Sequence, residues 1–238
     1  MELQNITYAG HSAVFLDYGA KKVAIDPWLK DNPRCPDNLK KPGQLDLIIL
    51  THGHSDHSGG VVELANQCEA KVAANFELIN LLIKDGLAAE KACFMNKGGT
   101  VDIDGLKVTL TYAYHSSSYE INGQALYAGE PCGVIIRDTN TCVYHAGDTG
   151  IFSDMKLIGE LYSPDIAFLP IGDVFTMGPS EAALAARFVG CKVAIPIHYK
   201  TFDLLTGTAE DFKKECSSND NLKVVVLEPG ENYTPQGN

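Results

Sequence analysis

Near the start of the chain, apolar and polar positions alternate with the period of two that marks half-buried strands. Leu3 to Tyr8 and Ser12 to Asp17 carry this alternation, and the turn Tyr18-Gly19-Ala20 leads into a third run, Lys22 to Asp26. Pro27 to Pro42 is rich in Pro, Asn, Asp and Lys and reads as a loop. The mostly apolar Leu45 to Leu50 predicts a buried strand. Gly60 to Gln67 predicts a helix, Val72 to Asn75 a short strand and Glu77 to Lys84 a second helix. Alternation returns over Thr100 to Tyr112, folded about Asp104-Gly105, and in a hairpin of Cys132 to Arg137 with Thr141 to Tyr144 about Asp138-Thr139-Asn140.

The remainder alternates between the two element types. Helices are predicted over Asp154 to Tyr162, Ser180 to Val189 and Ala209 to Cys216, and strands over Ile166 to Leu169, Val193 to Ile197 and Leu222 to Leu227. Each half therefore begins with antiparallel strands and ends in strand–helix alternation. Two mixed sheets packed face to face, with helices outside, satisfy that pattern. No Pro/Ser-rich linker divides the halves, so residues 1–234 are expected to form one domain, with 235–238 as a loose tail.

The richest chemistry follows the buried run at Leu45 to Leu50. Thr51 to Gly60 reads T-H-G-H-S-D-H-S-G-G, placing His52, His54, Asp56 and His57 on a strand-to-helix loop. Imidazole nitrogen and carboxylate oxygen are the usual ligands of zinc and related divalent ions. Gly53, Gly59 and Gly60 allow a tight backbone path around an ion. Three further donors each follow a strand-like run: His115, Asp148 in His145-Ala146-Gly147-Asp148-Thr149, and His198 after Val193 to Ile197.

This order of donors resembles that of the metallo-β-lactamase superfamily, from Asp26 to His198. The resemblance implies an α/β (α+β) fold, a four-layer αββα sandwich. Gly10-His11-Ser12, Tyr144 to Thr149, Phe152 to Met155, Leu169 to Asp173 and Phe175 to Pro179 are closer to small metal-dependent hydrolases similar to the ascorbate-phosphate lactonase branch.

Carried over position by position, His52, His54 and His115 hold one ion. Asp56, His57 and His198 hold a second, and Asp148 bridges both. The implied nucleophile is a hydroxide between the ions, cleaving an ester, lactone, amide or phosphoester of a small molecule. Zinc is the default ion, and manganese or iron accepts the same donors. The catalytic set is Asp56, Asp148 and His11, with His11 expected to line the cleft as proton donor or substrate ligand. Asp26 is expected to orient a ligand histidine from behind. His145 either steadies the Asp148 loop, contacts substrate or is a satisfied core histidine. Ser116 belongs to a run that either hydrogen-bonds substrate or is a solvated loop. Thr176 precedes a helix whose first N–H groups either receive an anion or make an ordinary helix start with proline in the first turn.

Two other chemistries occur on this fold: a di-iron oxidoreductase, and a phosphodiesterase acting on nucleotides or nucleic acid. The first kind usually carries glutamate where this chain has His54. A net charge of −11, from 19 basic and 30 acidic residues, disfavours nucleic acid as a partner. No apolar stretch reaches membrane-spanning length. Seven scattered cysteines without a C-x-x-C pair, and no secretory signal, lead us to expect reduced thiols and a cytoplasmic protein. A homo-oligomer is compatible with the sequence.

Overall fold

The structure is a computed structural model that describes residues 1–235. Of the expected tail, residues 236–238 lie outside the described residues. The first sheet contains β1 (Asn5–Gly10), β2 (Ala13–Asp17), β3 (Lys22–Ile25), β4 (Leu47–Ile49), β5 (Lys71–Asn75), β6 (Ala92–Met95) and β16 (Asn232–Tyr233), in the order β16-β1-β2-β3-β4-β5-β6. The second contains β7 (Thr100–Ile103), β8 (Leu106–Tyr112), β11 (Cys132–Arg137), β12 (Cys142–His145), β13 (Ile166–Pro170), β14 (Val193–Ile197) and β15 (Lys223–Val224), in the order β15-β14-β13-β12-β11-β8-β7. A separate hairpin pairs β9 (Ser118–Ile121) with β10 (Gln124–Tyr127).

Both sheets are antiparallel on one side and parallel on the other, with the change at β3 in the first and β12 in the second. The helices are α1 (Ser55–Ser58), α2 (Val61–Cys68), α3 (Phe76–Lys84), α4 (Met155–Tyr162), α5 (Pro179–Val189) and α6 (Ala209–Cys216).

Strand alternation explains the layering. In β4, Leu47 and Ile49 face the other sheet, where they share a core with Val108, Val134, Phe168 and Ile195. Ile48 and the following Leu50 face outward beneath Val61, Leu64 and Ala65 of α2 and Leu78, Ile79 and Leu82 of α3. The second sheet repeats the arrangement: Ile166 and Phe168 point inward, while Ala167 and Leu169 lie under α4, α5 and α6. Each such fully buried Leu, Ile or Phe contributes about 1.5–3 kcal/mol over its exposed state. Because both faces of the parallel strands are covered, these strands are apolar throughout rather than alternating.

β1 and β3 run parallel to β4 within the first sheet, and β8 and β12 run parallel to β14 within the second. The residues just beyond their carboxyl ends are His11, Asp26, His52, His115, Asp148 and His198. Ligand sites in open α/β sheets form outside the carboxyl ends of the strands. Here two sheets contribute to one such edge.

The sequence reading missed four short strands. β6 is an edge strand without alternating burial, β9 and β10 form a small polar-rimmed hairpin, and β16 is two residues long. Asp56 and His57 do not sit on an open loop, as expected from the sequence, but on the single turn α1, with His57 N–H donating to the carbonyl of His54.

Candidate metal centre

The seven donors converge from four chain segments and form two groups. In one, His52, His54 and His115 each offer a nitrogen within 4.8 Å of the others. In the other, Asp56, His57 and His198 meet at the same spacing, together with His11. Asp148 reaches both: its oxygens lie 3.0 Å from His198 Nε2, 3.3 Å from His57 Nε2 and 3.6 Å from His115 Nε2.

The residues behind the ligands set their tautomers. Asp26 is fully buried and accepts three hydrogen bonds, from Thr51 N–H at 2.8 Å, Thr51 Oγ1 at 2.7 Å and His57 Nδ1 at 2.8 Å. The last bond puts the His57 ring proton on Nδ1 and turns Nε2 toward Asp148. Thr51 has given its only hydroxyl proton to Asp26, so its oxygen accepts from His52 Nδ1 at 3.0 Å. His52 Nε2 is thereby left as a lone pair facing His54. This support follows the pattern by which metal-binding histidines are oriented from the second ring nitrogen.

Burial and neighbouring charge act differently on the two groups. Burial lowers the pKa of His52 well below the ordinary value and also lowers His54 and His115. These imidazoles are neutral, as ligands must be. Burial also pulls His57 down, but Asp148 and Asp26 together outweigh it and hold its pKa well above the usual range. Asp148, although buried, is held well below the carboxylate range by His198 and His57. Asp56 is likewise lowered against its burial, by its bond to His11 and by His57.

Backbone geometry carries strain at the same place. His11, Asp26 and His198 adopt φ of 59°, 46° and 57°. Non-glycine residues rarely occupy this left-handed region, and such residues concentrate at functional sites. Gly53 is needed for close approach rather than for a turn: a Cβ there would stand 2.8 Å from the Ser118 carbonyl oxygen.

His11 departs from its expected place lining the cleft. It is 1% exposed, and both ring nitrogens are occupied, Nε2 by Asp56 Oδ2 at 3.1 Å and Nδ1 by Thr201 Oγ1 at 2.9 Å. Burial and the adjacent His198 lower its pKa to about 4. Its geometry is that of a residue positioning Asp56. His145 is also fully buried. Its Nδ1 accepts the Gly147 N–H at 3.1 Å, so Nε2 donates to the Ser12 carbonyl, steadying the turn before Asp148.

Ser116 is exposed, whereas its neighbour Ser117 is buried and accepts the Gly53 N–H at 3.2 Å. Thr176 lies outside the donor cluster. The N–H groups expected to receive an anion are already used: Thr176 by Asp173, Met177 by the Thr149 carbonyl and Gly178 by Glu181, while Pro179 has none. This segment is an ordinary helix start with a glutamate cap.

Sequence reasoning overlooked Thr51 and Thr201, and it took Ser117 only as part of the run after His115, not as the support of Gly53. Thr51 adjoins His52 within the motif and offered a signal. Thr201 offered none, since its partner His11 lies 190 residues away.

Comparison with known proteins agrees with this geometry. The model of the beta-lactamase superfamily domain matches residues 21–199. A "UPF0173 metal-dependent hydrolase" of Rubrobacter xylanophilus is 46% identical, covering 95% of this chain and 94% of its own length. A protein of the same description from Methanosarcina barkeri is 43% identical over 95% of this chain and 96% of its own. Among solved structures, Igni18, a metallo hydrolase from the archaeon Ignicoccus hospitalis, superposes with a TM-score of 0.88 at 37% identity over the full length of both chains. With the family model spanning most of the chain and the relatives aligning nearly end to end, the chain belongs to the beta-lactamase superfamily, as a metal-dependent hydrolase of that fold.

Proposed function

We propose that the protein holds two divalent ions, zinc being the default for this nitrogen-and-oxygen donor set, and hydrolyses an ester, lactone, amide or phosphoester of a small molecule. The observation that carries this reading is a set of orphaned buried atoms. His57 Nε2, His198 Nδ1 and Nε2, and Asp148 Oδ1 have no hydrogen-bond partner. His57 Nε2 faces Asp148 Oδ1 at 3.3 Å, and His198 Nε2 faces the other oxygen, Oδ2, at 3.0 Å, both close enough for charge attraction but misaligned for hydrogen bonding. Leaving buried polar groups unpaired costs roughly 1–3 kcal/mol each. Cations among them remove that cost, and the donor types fit.

His52, His54 and His115 would hold one ion, and Asp56, His57 and His198 the other, with Asp148 shared. Bound there, the ions supply an activated water and polarise the oxygen of the bond to be cleaved. The chain's own residues do the rest. Asp26 and Thr51 lock the tautomers of His57 and His52. His11 pins Asp56 in one orientation, and Asp148 offers two carboxylate oxygens to the two groups, which a single imidazole nitrogen cannot do.

The test combines metal analysis of the purified protein with a screen of lactones, thioesters and phosphodiesters. Two ions per chain and turnover of one class, lost on chelation and regained on adding metal, are expected. A fully loaded protein with no hydrolysis of any class, or retention of turnover without metal, would contradict the reading.

A further inference from the structure

A cavity of about 170 Å³ opens between the end of β8 and helix α4, lined chiefly by Leu110, Tyr112, Phe152, Leu157, Leu161 and Tyr162. Its walls are nearly all hydrocarbon, yet they are not buried: Tyr112, Leu157 and Leu161 are 57%, 50% and 68% exposed. These leucines stand four positions apart on one helix face and, among the described residues, lie open to water.

The cavity is joined to the metal centre by an aromatic pair. Phe152 lies 5.0 Å from the ring of Tyr114. Tyr114 directly precedes His115, its N–H donates to Thr149 Oγ1 at 2.9 Å, and its carbonyl accepts from Gly150 at 3.0 Å. These bonds clamp Tyr114 to the segment that carries Asp148. Phe152 is four residues beyond Asp148, and four residues of extended chain span at most about 14 Å. Phe152 therefore ties one wall of the cavity to the segment that carries Asp148.

From this continuity we infer that the cavity binds the apolar part of the substrate, a short alkyl chain or one aromatic ring, while the hydrolysable group rests on the donors. An engineered apolar cavity of roughly 150 Å³ accepts benzene, so the volume suits one ring. Among the described residues the only charged side chain lining the cavity is the carboxylate of Asp154, which disfavours a second anionic group there. The inference rests on the metal-centred reading above and narrows it to substrates with one hydrolysable group and one hydrocarbon end.

Alkyl hydroxamates test it without turnover, because the hydroxamate head chelates metal and the tail probes the cavity. Calorimetry of the zinc-loaded protein with acetohydroxamate, butano-, hexano- and benzohydroxamate gives the affinity series. Affinity is expected to rise about threefold to fourfold per buried methylene, on the order of 100-fold across the series. In Leu157→Asn/Leu161→Asn, whose positions are half exposed and so tolerate polarity, the gradient should collapse. Phe76→Ala, which removes an exposed ring paired with Phe94 at the edge of the first sheet, should keep it.

A flat series in the wild type, or a gradient that survives the double variant, would overturn the inference while leaving the metal reading standing. Failure of acetohydroxamate itself to bind would remove the metal reading and this inference with it. If sedimentation showed a dimer that dissociates in the double variant and the series were flat, the patch would be a self-association surface instead.

Discussion

The two halves of the metal centre are built to different standards. His52, His54 and His115 form a set with only one fully buried member, supported by Thr51 behind His52 and by Ser117 under Gly53. Asp56, His57 and His198 form a set whose histidines are buried and whose supports are charged or doubly bonded: Asp26 behind His57, and His11 between Asp56 and Thr201. The first set is neutral and ready for a cation. On the proposed reading the second would exchange a proton for one, because two carboxylates hold the pKa of His57 well above the usual range. One motif, H-x-H-x-D-H, thus supplies donors to two groups of unlike charge, and residues far from the motif create the difference.

The largest effect should come from removing what the halves share. Asp148→Asn leaves His57 and His198 without their common anion, and we expect turnover to fall on the order of 10³-fold, the scale of a group stabilising transition-state charge. Steady-state kinetics with circular dichroism as a folding control measures this. Activity within a few-fold of wild type would remove Asp148 from its shared role.

Asp26→Asn should split the halves. Asparagine tolerates the left-handed backbone at this position, and its oxygen keeps the Thr51 N–H bond, but the amide nitrogen that replaces Oδ2 can accept neither from His57 Nδ1 nor from the Thr51 hydroxyl. The second ion should bind roughly 10–100-fold more weakly, and the first should weaken less, because the Thr51 hydroxyl oxygen can still accept from His52 Nδ1. Equal weakening of both, read by equilibrium dialysis, would argue against separate supports.

A pH series sharpens the comparison further. The raised pKa of His57 means a proton must leave before a cation is held there, so from pH 8 to pH 6 the second ion should weaken by up to about tenfold per unit. The His52, His54 and His115 set, with lowered pKa values, should be nearly flat over the same range and weaken only in more acid solution, as protons begin to compete. Parallel pH dependence of the two steps in metal-binding titrations would contradict the assignment of charge.

Thr201→Val should have the smallest effect. It removes the partner of His11 Nδ1 at nearly constant volume, at a cost of about 1 kcal/mol. The loss should appear in turnover more than in melting temperature, since Thr201 is not part of a hydrophobic cluster. Restoration of turnover in Thr201→Ser would tie the loss to the hydroxyl.

What the sequence revealed and what it hid follow from distance along the chain. The donors were legible because each follows an apolar strand, and strand periodicity is a local signal: Ile48 and Leu50 outward, Leu47 and Ile49 inward, then His52. The layered fold was legible for the same reason. The place of His11 was not, because its environment is made by Asp56, His198 and Thr201, which come from elsewhere in the chain. β6, β9, β10 and β16 escaped because short edge strands take their structure from partners rather than from their own pattern. The sequence left an anion site and an ordinary helix start both open at Thr176, because the partners of the N–H groups before α5, namely Asp173, Thr149 and Glu181, are not exposed by a local reading.

The central claim is that one chain carries two metal sites of unequal proton coupling. Zinc titration of the metal-free protein at pH 7, by calorimetry in two buffers of different ionisation enthalpy, tests it most directly. The account predicts two ions per chain in two resolved steps, the first releasing almost no protons and the second about one, from His57. A single ion per chain, or two steps with equal proton release, would contradict it.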